Sequence, residues 1–459
     1  MNTMQYIRTA GMALLTLLFI GCSSEEDSAS QTMTISAIYL EDASSSTTIH
    51  DRKVESVRLG QLIRVEGSGF EGLKKIYING YETYFNTAMM TDNNVWITVN
   101  KKTPVEKANP AVRNTLVFFK TDDNKVSYNL TVRAAAPFIT HFNNSLPQPG
   151  ETVIVYGENL QETTSVLLPS GNKIGAADIT NDADGEWFSF VMPAGETLGG
   201  AISSTGANGK AVSPACFNNR NGMIFDFDGV GGQGVWGWKA DGSMINEDDL
   251  TTDPLGSGRG KVCQLIPQRL ITAGGVGVGP RKTEVWTTDA EDFSKLCIDF
   301  NGTTPITDLA FQFDIYVPDE WDKTGQIQIT MLNNVDFLGY GADENTKTTT
   351  ICYTWVPWLN SDGSTKPFKT TGWQTVTIPL SEFSVFKTEL LKLQTPLFQE
   401  LLDMRDAAEY NNVGMAFVNS DIELSEDNVL EASKTSQLIY VDNFRIVLNT
   451  AETISDFDD

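Results

Sequence analysis

The stretch Gly60–Phe70, "GQLIRVEGSGF", returns as Gly150–Leu160, "GETVIVYGENL", and this echo decides how the first half of the chain is built. Gly60, Gly67 and Gly69 fall on Gly150, Gly157 and Asn159 at a constant offset of 90. Within the first copy Leu62, Arg64 and Glu66 alternate with Ile63 and Val65, the period-two pattern of a strand with one buried face. The glycine or asparagine after that strand supplies the positive φ a tight turn requires. Later in each copy a tryptophan opens another strand, "WITV" at Trp96 and "WFSFVMP" at Trp187, and both rings are expected inside. Neither copy contains an amphipathic helix, so residues 34–134 and 135–216 each read as a small β-sandwich.

The whole chain has 459 residues, enough for about three domains. Its 33 Lys and Arg against 59 Asp and Glu give a formal charge of -26, which disfavours nucleic acid and anionic lipid headgroups as partners. A neutral ligand meets no such repulsion. The two histidines, His50 and His141, are far apart and lack neighbours at metal-ligand spacing, which argues against zinc hydrolysis and Ser-His-Asp chemistry. "GGVGVGP" at Gly274 has the glycines of a phosphate loop without the following helix, and reads as a plain loop. Cys216, Cys263, Cys297 and Cys352 show no CxxC spacing and read as buried small hydrophobes, although one disulfide is compatible with an oxidising compartment. No cofactor is expected.

Residues 1–21 carry one arginine and a short apolar run from Met12 to Ile20, too short to span a bilayer and typical of a signal peptide. Cys22 follows Gly21, with Phe19 where lipoprotein boxes usually place leucine, and "SSEEDS" then opens an acidic tether over 22–33. An acidic tail occupies 451–459.

After Asn218 the composition changes, and seven of the nine tryptophans lie in this part. Alternating strands are predicted at "LAFQFDIYVP" (Leu309), "QIQITML" (Gln326), "WQTVTIPL" (Trp373), "VGMAFV" (Val413) and "QLIYVDNFRIV" (Gln437), with a short helix over about 394–408. The fold class is therefore all-β: two small sandwiches, then a larger jelly-roll sandwich over 217–450 with a short helical insertion. "YTWVPW", Tyr353–Trp358, crowds three rings around a proline, a composition suited to a surface. Tyr353 and Trp355 share strand parity, and Pro357 would turn Trp358 to the same side. Trp373, Trp236 and Trp238 read as core.

The repeats resemble IPT/TIG immunoglobulin-like domains, the second copy opening with "PFITHF" at Pro137. "FDIYVPDEW", "FKTTGWQTVTIPLSEF" and "IYVDNFRI" resemble the C-terminal, xyloglucan-binding-type domain of surface glycan-binding proteins from Bacteroidetes polysaccharide-utilisation systems. The lipobox and acidic tract resemble the export signal of outer-membrane lipoproteins that face the cell exterior. The resemblance implies non-catalytic capture of a neutral plant polysaccharide, a β-glucan with xyloglucan favoured, for degradation and uptake. It further implies lipid on Cys22, and as partners a TonB-dependent transporter and a companion glycan-binding lipoprotein.

Sugar rings present an apolar C–H face to aromatic rings and a rim of hydroxyls to polar groups. On that basis the glycan-binding residues expected are Trp321, Trp355, Trp358 and Tyr353, with Trp286 and Asn333 beside them. Two other readings remain open. A jelly-roll glycoside hydrolase needs two carboxylates flanking the scissile bond, for which Glu284 and Asp336 are candidates. An adhesin would bind protein through the Ig-like repeats. Asp226, Asp228 and Asp442 could furnish a structural calcium site.

Overall fold

In the computed structural model, residues 32–41, 51–234, 243–265, 271–276, 282–288, 293–340 and 350–451 are described. The signal peptide, Cys22, His50, Trp236, Trp238 and the acidic tail lie outside them. The chain divides into two compact units, the first ending at Ala135 and the second beginning at Ala136.

The first unit is a sandwich of two four-stranded sheets. Its strands include β1 (Thr34–Glu41), β2 (Leu62–Ser68), β3 (Lys75–Ile78), β4 (Asn94–Thr98) and β5 (Thr115–Thr121). One sheet runs Asp51–Lys53, β1, β2, β4; the other runs Tyr81–Thr83, β3, β5, Asn124–Asn129. Ile63, Val65, Val95 and Ile97 are buried from one side, and Ile76, Ile78, Leu116 and Phe118 from the other, as period-two alternation demands. Gly69 takes φ 75° and its counterpart Asn159 φ 58°, the left-handed conformation read from the motif. Gly67 answers a different need: a Cβ there would stand 1.9 Å from the Thr34 carbonyl, beside a bulge in β1.

The second sandwich repeats this plan with β6 (Phe138–Phe142), β7 (Thr152–Glu158), β8 (Thr163–Leu167), β9 (Trp187–Val191) and β10 (Ser203–Gly206). Gly157 again sits at the bulge, where a Cβ would stand 1.9 Å from the Phe138 carbonyl oxygen. Trp96 and Trp187, expected inside, are half-exposed on outer faces. Their cross-strand partners are Arg64 and Tyr156, so parity places them with the polar set.

The third sandwich contains β11 (Lys282–Trp286), β12 (Leu309–Tyr316), β13 (Gln326–Thr330), β14 (Cys352–Trp355), β15 (Gln374–Pro379), β16 (Gly414–Val418) and β17 (Tyr440–Leu448). Its front sheet runs β11, β16, β13, β14. The six-stranded back sheet carries β17, β12 and β15, with β15 at one edge. Ile327, Ile329, Met415 and Phe417 from the front share one core with Phe311, Phe313, Ile315, Phe444 and Ile446 from the back. Of the helical insertion, α2 (Phe398–Asp406) lies inside the expected span, and α1 (Ser384–Leu391) was not anticipated. Trp373 is buried, its indole N–H donating to Asp253 Oδ1 at 2.9 Å. Cys216 and Cys263 are free and buried; Cys352 is buried, with Gln328 donating to its sulfur at 3.3 Å, and Cys297 is half-buried.

The outward face of the back sheet is polar in sequence yet buried, because the second Ig-like sandwich covers it. Arg445 donates to Ser145 Oγ and to the Asn219 carbonyl. Arg259 pairs with Asp314 at 2.6 Å and donates to the Leu146 carbonyl at 3.0 Å, while the Thr375 N–H meets the Asn143 carbonyl at 2.8 Å. Val447 of β17 belongs to the Ig-like core, with Phe142 and Phe217. Burial, then the nearby Asp314 carboxylate, pushes Asp442 up to about 8. Burial lowers Arg445 to about 10, which leaves it a cation at neutral pH. Taking such charges out of water costs several kcal/mol per ion unless each is paired, so the two sandwiches depend on one another here.

Candidate functional site

The back sheet is covered, and the described strands β11, β16 and β13 of the front sheet are buried as well, which leaves the margin at β14, the last strand of that sheet, as the half-open part. Tyr353 and Trp355 pair across β13 with Ile329 and Ile327, so their side chains face the same way as those core residues. Because β14 is an edge strand, the two rings are only half covered.

Trp355 is held by three rings set nearly perpendicular to it: Phe313 at 5.8 Å, Phe368 at 5.4 Å and Trp321 at 6.2 Å. Edge-to-face packing of this kind fixes the indole plane without covering its outer part. Tyr353 packs on Phe383 at 5.8 Å. Burial, then the charge of Glu382, raises its phenol above the ordinary value, so the hydroxyl stays protonated at neutral pH and can both donate and accept. Phe368 is half-buried beside Trp355 and exchanges two backbone hydrogen bonds of 2.9 Å with Trp321. A margin of Tyr353, Trp355 and Phe368 offers flat apolar surface with a hydroxyl at one end.

Four expected contact residues are elsewhere. Trp321 is 0% exposed and Trp358 1% exposed, so neither can stack on a ligand. Both belong to the core and donate their indole N–H to carbonyls of one turn, Trp321 to Thr324 at 2.6 Å and Trp358 to Gly325 at 3.0 Å. Pro357 follows the end of β14 as read, but the turn after it sends Trp358 inward. Trp286 is 4% exposed. Its strand parity points away from the core, yet Phe337 lies on it at 5.0 Å and its ring crosses Gly414, where any Cβ would fall 2.4 Å from the indole. The segment bearing Phe337 is pinned over the sheet by Gln328 and Gln326, which accept from the Gly339 and Tyr340 N–H groups at 3.0 and 2.8 Å. Asn333 is half-buried beyond the far end of β13 from Trp355, with its amide donating to Asn412 at 3.3 Å.

Phe368 was missed because it lies outside any strand, where parity says nothing; its only signal was its place just before "TTGW".

Glu284 lies buried in β11, separated from β14 by β16 and β13, and Asp336 is exposed in the covering segment. Neither belongs to the aromatic margin. Asp226 accepts from the Asp228 and Val230 N–H groups, Asp228 from that of Lys261, and Asp442 belongs to the charged seam. Among the described residues no group of three or more His, Cys, Asp or Glu side chains is arranged to hold a metal ion.

Residues 217–448 match the family model described as the surface glycan-binding protein B xyloglucan binding domain. An IPT/TIG domain-containing protein of Bacteroides ovatus is 26% identical over 312 residues, 68% of this chain and 52% of that protein; the chain thus spans about half the length of this relative. The crystal structure of surface glycan-binding protein PbSGBP-B from Prevotella bryantii superposes with a TM-score of 0.62 at 20% identity, covering 92% of this chain and all of that one. An SGBP-B from a complex xyloglucan utilization locus in Bacteroides uniformis covers 85% of this chain and 96% of its own at 17% identity, with a TM-score of 0.44.

Proposed function

The chain belongs to the surface glycan-binding protein B family, a family of cell-surface glycan binders, and from that premise we propose how and what it binds. The ligand is a neutral β-glucan, xyloglucan favoured, which lies along the β14 margin and stacks on Trp355 and Tyr353. The observation that carries this reading is Trp355: an indole left partly open to solvent while Phe313, Phe368 and Trp321 lock its plane. A preordered flat surface spares the ligand the entropy of organising it. Trp321 and Trp358 support this surface from beneath and do not touch the glycan. Binding is non-catalytic, in keeping with the separation of Glu284 from the margin.

The remaining parts fit a tether and scaffold. Residues 1–21 direct export, lipid on Cys22 holds the mature protein in the outer membrane facing outward, and residues 34–134 and 135–216 carry the binding domain. A TonB-dependent transporter and a companion glycan-binding lipoprotein receive the captured chain.

Native gels of the intact protein containing xyloglucan, mixed-linkage β-glucan, mannan, xylan or starch test the ligand. Retardation by a β-glucan, abolished in the Trp355→Ala, Tyr353→Ala variant, supports the margin; retardation that survives both substitutions moves the site elsewhere. New reducing ends after incubation would establish catalysis instead. A mass increase of the mature protein that vanishes in Cys22→Ser tests the lipid anchor.

A further inference from the structure

The first Ig-like sandwich contains a cavity of about 510 Å3 that the binding margin does not use. It lies entirely within that unit, between the outer face of the sheet bearing β2 and β4 and the segment Tyr84–Met89. Leu62, Trp96 and Val99 line it from the sheet side; Tyr84, Phe85 and Met89 line it from the segment. Tyr84 is 81% and Met89 54% exposed, far more than packing within a β-sandwich calls for. The Trp96 indole N–H is spent on Glu41, which fixes the ring as one wall.

The polar groups at the rim are chiefly donors. Asn86 and Asn100 each use the side-chain oxygen to accept a nearby backbone N–H, from Ala88 at 3.0 Å and Lys102 at 2.8 Å, which leaves their NH2 groups for a ligand. Lys101 adds the one charged group of the lining, a cation in a chain of formal charge -26. Flat rings, an apolar floor and a rim of N–H donors suit a ligand with apolar faces and many oxygen acceptors. The volume falls in the range of about 300–1,000 Å3 usual for small-ligand pockets.

We propose that this cavity is a second carbohydrate site, which takes a sugar unit of the same polysaccharide against Trp96 and Tyr84 with Asn86, Asn100 and Lys101 on its oxygens. The proposal rests on the reading of the protein as a glycan binder, and it makes the first sandwich a working part. Two weak sites on one long chain bind more tightly than either alone, since the second contact forms at an effective concentration set by the linkage.

The test uses the full mature chain labelled with 15N at tryptophan, with cellohexaose and a xyloglucan oligosaccharide as probes. Indole signals are assigned with Trp96→Phe and Trp355→Phe. The Trp96 signal is expected to move on titration, and Tyr84→Ala with Lys101→Ala to weaken that response at least tenfold while the Trp355 response stays unchanged. Movement of Trp355 alone with both sugars overturns the second site and leaves the margin standing. Movement of Trp96 alone supports the cavity and removes the margin. A Trp96 signal that responds only to an apolar peptide control makes the cavity a protein-docking site and overturns the proposal.

Discussion

The binding domain has two contrasting sides. Behind the back sheet, Asp314, Asp442 and Arg445 of its strands and Arg259 of an adjoining loop are buried against a neighbouring sandwich; on the front sheet Tyr353 and Trp355 stand half-buried in an edge strand. Both strips alternate cleanly in sequence. One is charged and closed, the other aromatic and half open, so polarity alone misplaces both. What separates them is the presence of a covering domain; the seam serves stability, and under the proposed function recognition falls to the margin.

The harshest way to break that contrast is to remove the cover. A fragment of residues 217–459 would expose Val447 and leave Arg445 and Arg259 without Ser145 and Leu146, and it is expected not to fold cooperatively, whereas residues 136–459 should. Circular dichroism melts of the two fragments decide this, and a sharp transition in the shorter one would show the seam to be dispensable. Arg445→Ala in the intact chain should destabilise the second unit by about 3–5 kcal/mol, the usual effect of breaking a buried charged network, with glycan affinity of the folded fraction unchanged.

Within the front sheet, Trp358→Ala should cost about 3–5 kcal/mol of stability by opening a core cavity. Trp355→Ala should instead lower glycan affinity by about 2 kcal/mol, close to thirtyfold, while the melting temperature moves little. Denaturant titration beside binding calorimetry separates the two, and matching losses in both assays would erase the distinction between core and margin.

A further expected effect concerns pH. Asp442 titrates near 8 in the folded protein and near the ordinary carboxylate value when unfolded, so between these values the folded state holds the extra proton. Its contribution to stability is therefore greatest below about pH 4 and declines as pH rises toward 8. Melting temperature should fall between pH 5 and 8 through this group, and Asp442→Asn should flatten the slope. An unchanged slope in that variant would place the titrating group elsewhere.

Much of this was legible from residues alone. The repeated glycine motif located both Ig-like sandwiches, and alternation located β12, β13, β15, β16 and β17, because strand periodicity is a local property. The site was legible only where the backbone stayed regular. Tyr353 and Trp355 could be put on one face by parity, whereas Trp358 and Trp321 lie outside strands and are directed by the carbonyls of Thr324 and Gly325, residues far from Trp358 in sequence. Trp286 had the right parity for an open face; the segment bearing Phe337 closes it, and nothing in the strand announces that cover. Asp442, read as a possible calcium ligand, lies in the buried seam for the same reason, since alternation reports which side a residue faces and not what lies there.

The paired glycines Gly67 and Gly157 bear on how two copies of one domain can grow apart. At both sites a carbonyl of the adjoining strand occupies the space of a Cβ. After a duplication, outer faces are free to change, and they have: one copy shows Tyr39 and Arg64 beside its tryptophan, the other His141 and Tyr156. The bulge glycine has no such freedom, because even alanine would force the strands apart. Drift in these repeats is thus permitted almost everywhere on the surface and halted at one atom, and that atom's absence is the mark by which the copies still recognise a shared origin.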